Sequence, residues 1–349
     1  MIIHLETETR LIGARFRCNV SCTYRRKLAR ASKFRSCFRL AYAIIINMNT
    51  VNDFARGTEK LVNPMDVGTT HHLQKKLSRL PVFIQRMIIT SAAKKASKMG
   101  FVVEPYAFFL FYEIDNPDKI QYLLPDGFIP AKSSVFAGDT AKYYGIASIF
   151  RLHTSAFWGA RSEFYAVSRN TKTGLLSWVI LDYSSDTISY DKKYGLRSPD
   201  ADYSVVTTTC EGKFIGEIKS NTGHIISCEA DLTHHQMRAL DEGLWIDGNT
   251  SIAYGKEIGG GDGGLFSLTF LPAEMKEAWE IPLRSITHEK VTWFKDVLGG
   301  KLDKAACFPF SQHMLSDSPG TKTHYGSKTS LEKAASSVDF SKLKTFSQK

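Results

Sequence analysis

Long hydrophobic runs are missing from this chain of 349 residues. The longest, at 40–46, falls far short of the roughly 18 apolar residues that a membrane-spanning helix needs. Cysteine is sparse and scattered: Cys18, Cys22, Cys37, Cys210, Cys228 and Cys307. Cys18-x-x-x-Cys22 has no second pair to complete a zinc site, and three isolated thiols in the body suit a reducing, cytoplasmic compartment. The neighbouring pairs His71-His72 and His234-His235 lack the H-x-x-x-H or H-E-x-x-H spacing that puts two imidazoles on one helix face. No metal is expected. The glycine-rich stretch 259–264 lacks the strand, loop and helix setting of a dinucleotide or phosphate loop and reads as a hairpin or lid. Neither a Ser-His-Asp nor a Cys-His arrangement can be read from spacing, and there is no internal repeat.

What is present is ample apolar material, 43% of residues, with 12% aromatic, enough for a sizeable core. The formal charge of +10 invites a nucleic-acid reading. Its distribution argues otherwise. Residues 1–47 carry ten Lys and Arg against Glu6 and Glu8, so the basicity belongs to an extension. Three readings of it stand: a gene-model artefact with Met48 as the true start, an organelle transit segment that would make the protein mitochondrial, or a basic arm. On all three it is left out of the fold, and the body is expected to bind neither nucleic acid nor membrane.

Residues 48–70 are polar and read as a linker. Over 72–99 apolar residues recur at helical spacing (Leu73, Leu77, Leu80, Phe83, Ile84, Met87, Ile88), with Lys and Arg on the other face. Pro81 should split the segment and Gly100 should stop it, giving two short helices packed on the body. From 101 the period changes. The run 107–114 is aromatic without helical spacing. Short β-type runs follow at 143–152, 163–169, 176–182, 203–209, 213–219, 224–229, 265–271 and 289–294, separated by turn residues. A short helix fits 119–124 and a longer one 231–243. The domain therefore spans 101–311, and the Ser-, Thr- and Lys-rich stretch 312–349 reads as a disordered tail. Many short strands at regular spacing argue for a mainly β (α+β) fold, a barrel or sandwich with a few flanking helices.

The candidate chemistry lies in Ser189-Tyr190-Asp191-Lys192-Lys193-Tyr194-Gly195. An amine becomes nucleophilic near neutral pH when desolvation or a neighbouring cation lowers its pKa, and it then condenses with a carbonyl. The resulting iminium is an electron sink, so no metal or organic cofactor is needed.

This segment resembles the Tyr-Pro-Lys-Lys-hydrophobic-Gly block of the acetoacetate decarboxylase family. Two upstream blocks resemble that family in the same order: 109–129, read as aromatic strand, short helix and turn, and Arg161-Ser162-Glu163-Phe164-Tyr165. The resemblance covers roughly 105–294. It implies an antiparallel barrel, closed or cone-like. It also implies Lys192 as the Schiff-base lysine, Lys193 as the cation that lowers its pKa, and Glu163 as the site carboxylate. The departures concern the groups around the substrate carboxylate. Ser185-Asp186 stands where the family has Arg-Glu, Asp191 replaces the proline, Glu113 replaces an arginine, and no acid occupies 145–149. Arg161 and Arg151 are the candidate replacement cations, with Glu113 and Tyr190 as further substrate contacts. The expected function is a lyase acting on a small keto acid or aldehyde, by decarboxylation or related carbanion chemistry, in a homo-oligomer. The alternative is an inactive barrel that binds a hydrophobic or carbonyl ligand among aromatics such as Phe108, Phe109, Phe111, Tyr112, Phe157 and Trp158.

Overall fold

The computed structural model describes residues 51–93, 98–155, 157–191, 195–259, 265–297, 301–317 and 324–343. The basic segment 1–47 and residues 260–264 of the glycine-rich stretch lie outside them.

The polar stretch 48–70 is helical rather than a linker. Helix α1 covers 51–61, and α2 runs over Pro64–Leu77. Asn63 caps α2 by accepting the Met65 N–H, and Pro64 takes the first position, where its missing donor costs nothing. Composition misjudged α1 because tertiary burial holds it: Phe54 and Leu61 pack with Leu271 and Leu315. Pro81 splits the next segment as expected, and α3 is Val82–Ala93.

Gly100 does not stop a helix. It lies inside strand β1, Lys98–Val103, where its N–H donates to Ser155 Oγ at 3.0 Å. A Cβ there would sit 3.0 Å from both the Leu61 side chain and the Thr58 carbonyl, so the absence of a side chain lets α1 approach the strand.

The remaining strands are β2 Ala107–Glu113, β3 Phe128–Pro130, β4 Lys132–Ser133, β5 Lys142–Thr154, β6 Trp158–Asn170, β7 Leu176–Ser185, β8 Ser189–Asp191, β9 Gly195–Arg197, β10 Ala201–Thr208, β11 Lys213–Ser220 and β12 Ile225–Asp231. They continue as β13 Gln236–Ala239, β14 Ile252–Tyr254, β15 Leu268–Phe270, β16 Glu277–Glu280, β17 Ile286–Val291, β18 Lys301–Phe308 and β19 Gln312–Asp317. Short helices follow β2 and end the described chain: Asp118–Gln121, and Lys328–Ser336 near the C-terminus.

The larger sheet runs β13-β16-β18-β2-β5-β1-β19-β15, with β6, β7 and β14 continuing from β5. Its pairings are antiparallel except for β7 with β14, so the sheet is mixed. A second sheet, β10-β11-β12-β17, packs against it. The mainly β expectation holds. Among the described residues the ladder does not close into a barrel.

The two faces of the β2-β5-β6-β7 region bury different clusters. Phe108, Leu110, Ile149 and Phe164 meet Phe214 and Ile218 of the second sheet. The alternate residues Phe109, Phe111, Tyr165 and Tyr183 pack instead with Trp178 and Trp245.

Two further expectations are corrected. Over 231–243 there is no long helix. A single turn at Leu232–His234 leads into β13, where Met237 pairs with Trp279, and a π-helical turn follows at Gly243–Asp247. Pairing with β16 and the stacking of His235 on Trp279 at 3.8 Å outweigh local helix propensity. The stretch from 312 is not a featureless tail. β19 pairs with β1 from Gln312 to Asp317, and Leu331 of the last helix is fully buried.

His313 on β19 ties α1 to the body. Its Nδ1 lies 3.2 Å from Glu274 and its Nε2 3.2 Å from Glu59 of α1. Burial opposes charge on the ring, but the Glu274 carboxylate, joined by Glu59, more than offsets it and holds the His313 pKa above its ordinary value of 6.5. A raised folded-state pKa makes this contribution full below the unfolded value and lost as pH rises through the folded one. His313→Gln should therefore lower Tm at about pH 6 and much less at about pH 9. Equal deficits at both pH values would refute the charged bridge.

Candidate active site

Strand β6 projects Arg161, Glu163 and Tyr165 from one face, because residues two apart share a side of a strand. The pairing partners complete the setting: Ser148 of β5 lies opposite Glu163 on one side and Tyr183 of β7 on the other. Glu163 and Tyr165 are buried, and the Arg161 side chain retains 13% of its exposure.

The three side chains form one hydrogen-bonded unit. Arg161 Nε donates to Glu163 Oε1, and the Tyr165 hydroxyl donates to Glu163 Oε2. Both Glu163 oxygens are therefore engaged. The Arg161 guanidinium carbon lies 3.9 Å from the centroid of the Tyr183 ring, and that of Arg197 lies 4.6 Å from it. Such stacking favours Arg, whose planar head is weakly hydrated. Burial works against the Arg161 charge, yet the Glu163 carboxylate prevails and keeps its pKa above the ordinary value. Arg161 is thus a fixed cation. Burial, reinforced by the negative charge of Glu163, raises the Tyr165 phenol well above its usual value. At neutral pH it is a proton donor and not a base. Tyr165 is itself fixed by an edge-on Trp178 ring, 4.8 Å between centroids, and Trp178 by its indole N–H donating to the Leu244 carbonyl at 2.7 Å.

A contact of Arg161 leads toward the lysine segment. Its Nη1 donates to Ser189 Oγ at 3.2 Å. Ser189 opens the β8–β9 hairpin, in which Ser189 pairs with Arg197, Tyr190 with Leu196 and Asp191 with Gly195. Lys192, Lys193 and Tyr194, which lie between Asp191 and Gly195 in sequence, are outside the described residues. For Tyr190 only the backbone pairing is described.

The base of the hairpin is anchored by Ser185 and Asp186. The Ser185 hydroxyl donates to the Ala160 carbonyl at 3.0 Å and its N–H to Asp200 at 2.8 Å. Asp186 accepts the Ala160 N–H at 2.8 Å and the Ser204 hydroxyl. Both of its oxygens serve the backbone and the second sheet.

Arg161 and Glu163 thus come together, whereas two other candidate substrate contacts do not join them. Glu113 pairs with Tyr144, four positions along β5 from Ser148, which is about 13 Å along the sheet. It binds Lys142 at 2.8 Å, and Lys142 also holds Asp303 at 2.7 Å. Arg151 is exposed and sits one residue out of phase with Phe150, the partner of Arg161, so it faces the other side of the sheet. There it pairs with Glu104 at 3.4 Å. The aromatics Phe108, Phe109, Phe111 and Tyr112 are buried core, and Trp158 is exposed.

No protein-family model matches the chain, and no curated protein matches it. The chain is similar to acetoacetate decarboxylases of solved structure. One is the acetoacetate decarboxylase of Legionella pneumophila subsp. pneumophila str. Philadelphia 1, at 14% identity and a TM-score of 0.36, over 62% of this chain and 86% of that one. Another acetoacetate decarboxylase structure shares 10% identity with a TM-score of 0.33, over 62% of this chain and 89% of that one.

Sequence reasoning named Arg161 and Glu163, quoted Tyr165 and Ser189 within motifs without giving them a role, and missed Tyr183 and Arg197. Tyr165 was within reach of it, since period-two spacing from Glu163 puts it on the same face. Tyr183 and Arg197 are joined to the site by pairing and folding, for which the sequence carries no local signal.

Proposed function

We propose that this chain is a lyase-type enzyme that forms a Schiff base between Lys192 and a small keto acid or aldehyde. The observation that supports this best is the Arg161–Ser189 hydrogen bond. It joins a buried Arg-Glu-Tyr unit to the hairpin that carries Lys192-Lys193, and Ser189 precedes Lys192 by three residues, about 10 Å of extended chain.

The chemistry follows from the groups available. The lysine amine adds to the substrate carbonyl and water leaves, giving an iminium. In a β-keto acid the carbon–carboxylate bond then breaks, CO2 departs, and the bonding electron pair moves into the iminium to give an enamine. A proton returned to carbon, followed by hydrolysis, frees the product and the lysine. Lys193 supplies the neighbouring cation that favours the neutral amine. Arg161 offers a permanent positive charge and a planar donor head suited to a carboxylate. Glu163 orients Arg161, and Tyr165 is a protonated donor beside it.

The wall opposite is also part of the proposal. The bridge between Ile252 of β14 and Phe266, which precedes β15, supports a sheet that wraps toward the cone-like barrel.

The test is to incubate the protein with acetoacetate, pyruvate and a panel of keto acids and aldehydes, reduce with borohydride and map adducts by mass spectrometry. An increment on Lys192 is expected. Ligands that bind reversibly while leaving Lys192 unmodified would instead indicate an inactive binding protein.

A further inference from the structure

The apolar residues of α2 and α3 do not pack on the body in the way their spacing suggested. In α3 it is Gln85 that is buried, its side chain accepting the Leu196 N–H of β9 and donating to the Leu80 carbonyl at 2.8 Å. In α2 they are Asp66 and Gln74, the latter donating to Ser198 at 2.8 Å. The helices therefore turn polar residues inward, onto the strand that follows the lysine segment. Large apolar side chains are left outside: Phe83 is 63% exposed and Met87 67%, with Ile88 beside them and Leu73 and Leu80 on or just after α2. Phe83 and Met87 are four residues apart, one above the other on a single helix face.

Apart from Asp66, buried in the first turn of α2, the charge of this region has one sign. From Val67 to Val103 the chain has no Asp or Glu, and in that stretch it has Lys75, Lys76, Arg79, Arg86, Lys94, Lys95 and Lys98. Lys75, Lys76 and Arg79 are exposed alongside Leu73 and Leu80. Large apolar side chains exposed together on one helix face mark an interaction site. Apolar anchors flanked by bases are the composition of a helix that lies in a lipid headgroup region, with the bases attracted to anionic lipid.

We infer that α2 and α3 form a docking surface for an anionic lipid bilayer, contrary to the expectation that the body makes no membrane contact. Charge selects this occupant. A second copy meeting the first through this same face would set Lys75, Lys76 and Arg79 against their equals. Nucleic acid would satisfy the bases but leave Phe83, Met87 and Ile88 without an apolar partner.

The test uses the full chain, sedimented with vesicles of phosphatidylcholine plus phosphatidylserine and with vesicles of phosphatidylcholine alone. Binding is expected only with phosphatidylserine and should weaken as salt is raised. The variants Phe83→Ser with Met87→Ser, and Lys75→Gln with Lys76→Gln and Arg79→Gln, should each reduce it by about tenfold. All five positions are exposed, so an unchanged Tm is expected to accompany the loss. The inference is overturned if either variant binds as the parent does, which would move the binding to another segment such as 1–47. It is also overturned if the parent ignores phosphatidylserine, or if Phe83→Ser with Met87→Ser only converts an oligomer to monomer and leaves vesicle binding intact.

Discussion

Replacing Lys192 with arginine is expected to eliminate the borohydride-trapped adduct and to reduce turnover of the adduct-forming keto acid by at least on the order of 10⁴-fold. Arginine keeps the positive charge and comparable bulk, so the local field and fold are preserved. What it lacks is an amine that can lose its proton at working pH, since its pKa exceeds about 12. A loss in this variant therefore reports nucleophilicity rather than packing. Lys193→Gln should behave differently. It should still form the adduct on Lys192, but the pH at which the adduct appears should move upward by roughly one unit or more, because a neighbouring cation no longer disfavours the protonated amine. The sequence also sets an acid, Asp191, next to the pair, and since an acid near an amine stabilises its charged form, Asp191→Asn is expected to move that pH down. Full adduct formation in Lys192→Arg, or its transfer to Lys193 with activity retained, would end the assignment of Lys192.

The sequence announced the fold unevenly, and the reasons are physical. The long strands β2, β5, β6 and β7 were legible because each carries a dense apolar and aromatic run bounded by turn residues. β8, β9, β13, β14 and β16 have three or four residues each, too few for a period to emerge, and are defined by the partners they meet. The segment 231–243 shows how such a partner overrides local preference, since β13 exists through its ladder with β16. The stretch from 72 to 93 was read correctly as helical and incorrectly in orientation, while 51–70 was not read as helix at all. Apolar spacing finds a stripe, but it does not say whether that stripe faces the protein. Gln74 and Gln85, which lie outside that stripe, are residues that face inward. The site was legible where it is local, in Arg161 and Glu163 two positions apart on one strand. It was illegible where it depends on pairing, as with Tyr183 across from Glu163. Glu113 was drawn in by its place in the resemblance and Arg151 by residue type, and each is held instead by an ion pair elsewhere.

Arg161→Met should destabilise the protein by about 3–5 kcal/mol in urea unfolding, because it removes one member of a largely buried ion pair and leaves the other behind. The Glu163 carboxylate would then keep only the Tyr165 hydroxyl as a side-chain donor from β6, in a setting walled by Tyr183 and Trp178. Replacing both charges together has a different expected outcome. Arg161→Met with Glu163→Leu substitutes apolar groups of similar size for the pair, so no charge is stranded, and most of the lost stability should return. Stability and activity should then part company. If the pair serves only to hold β6, the double variant should turn over substrate as the parent does. If Arg161 binds the substrate carboxylate and Glu163 orients it, the double variant should be as stable as the parent yet still inactive. Its KM should rise steeply for keto acids and change little for a neutral aldehyde, which presents no carboxylate to Arg161. That contrast between charged and neutral substrates is one that a purely structural role for the pair would not produce.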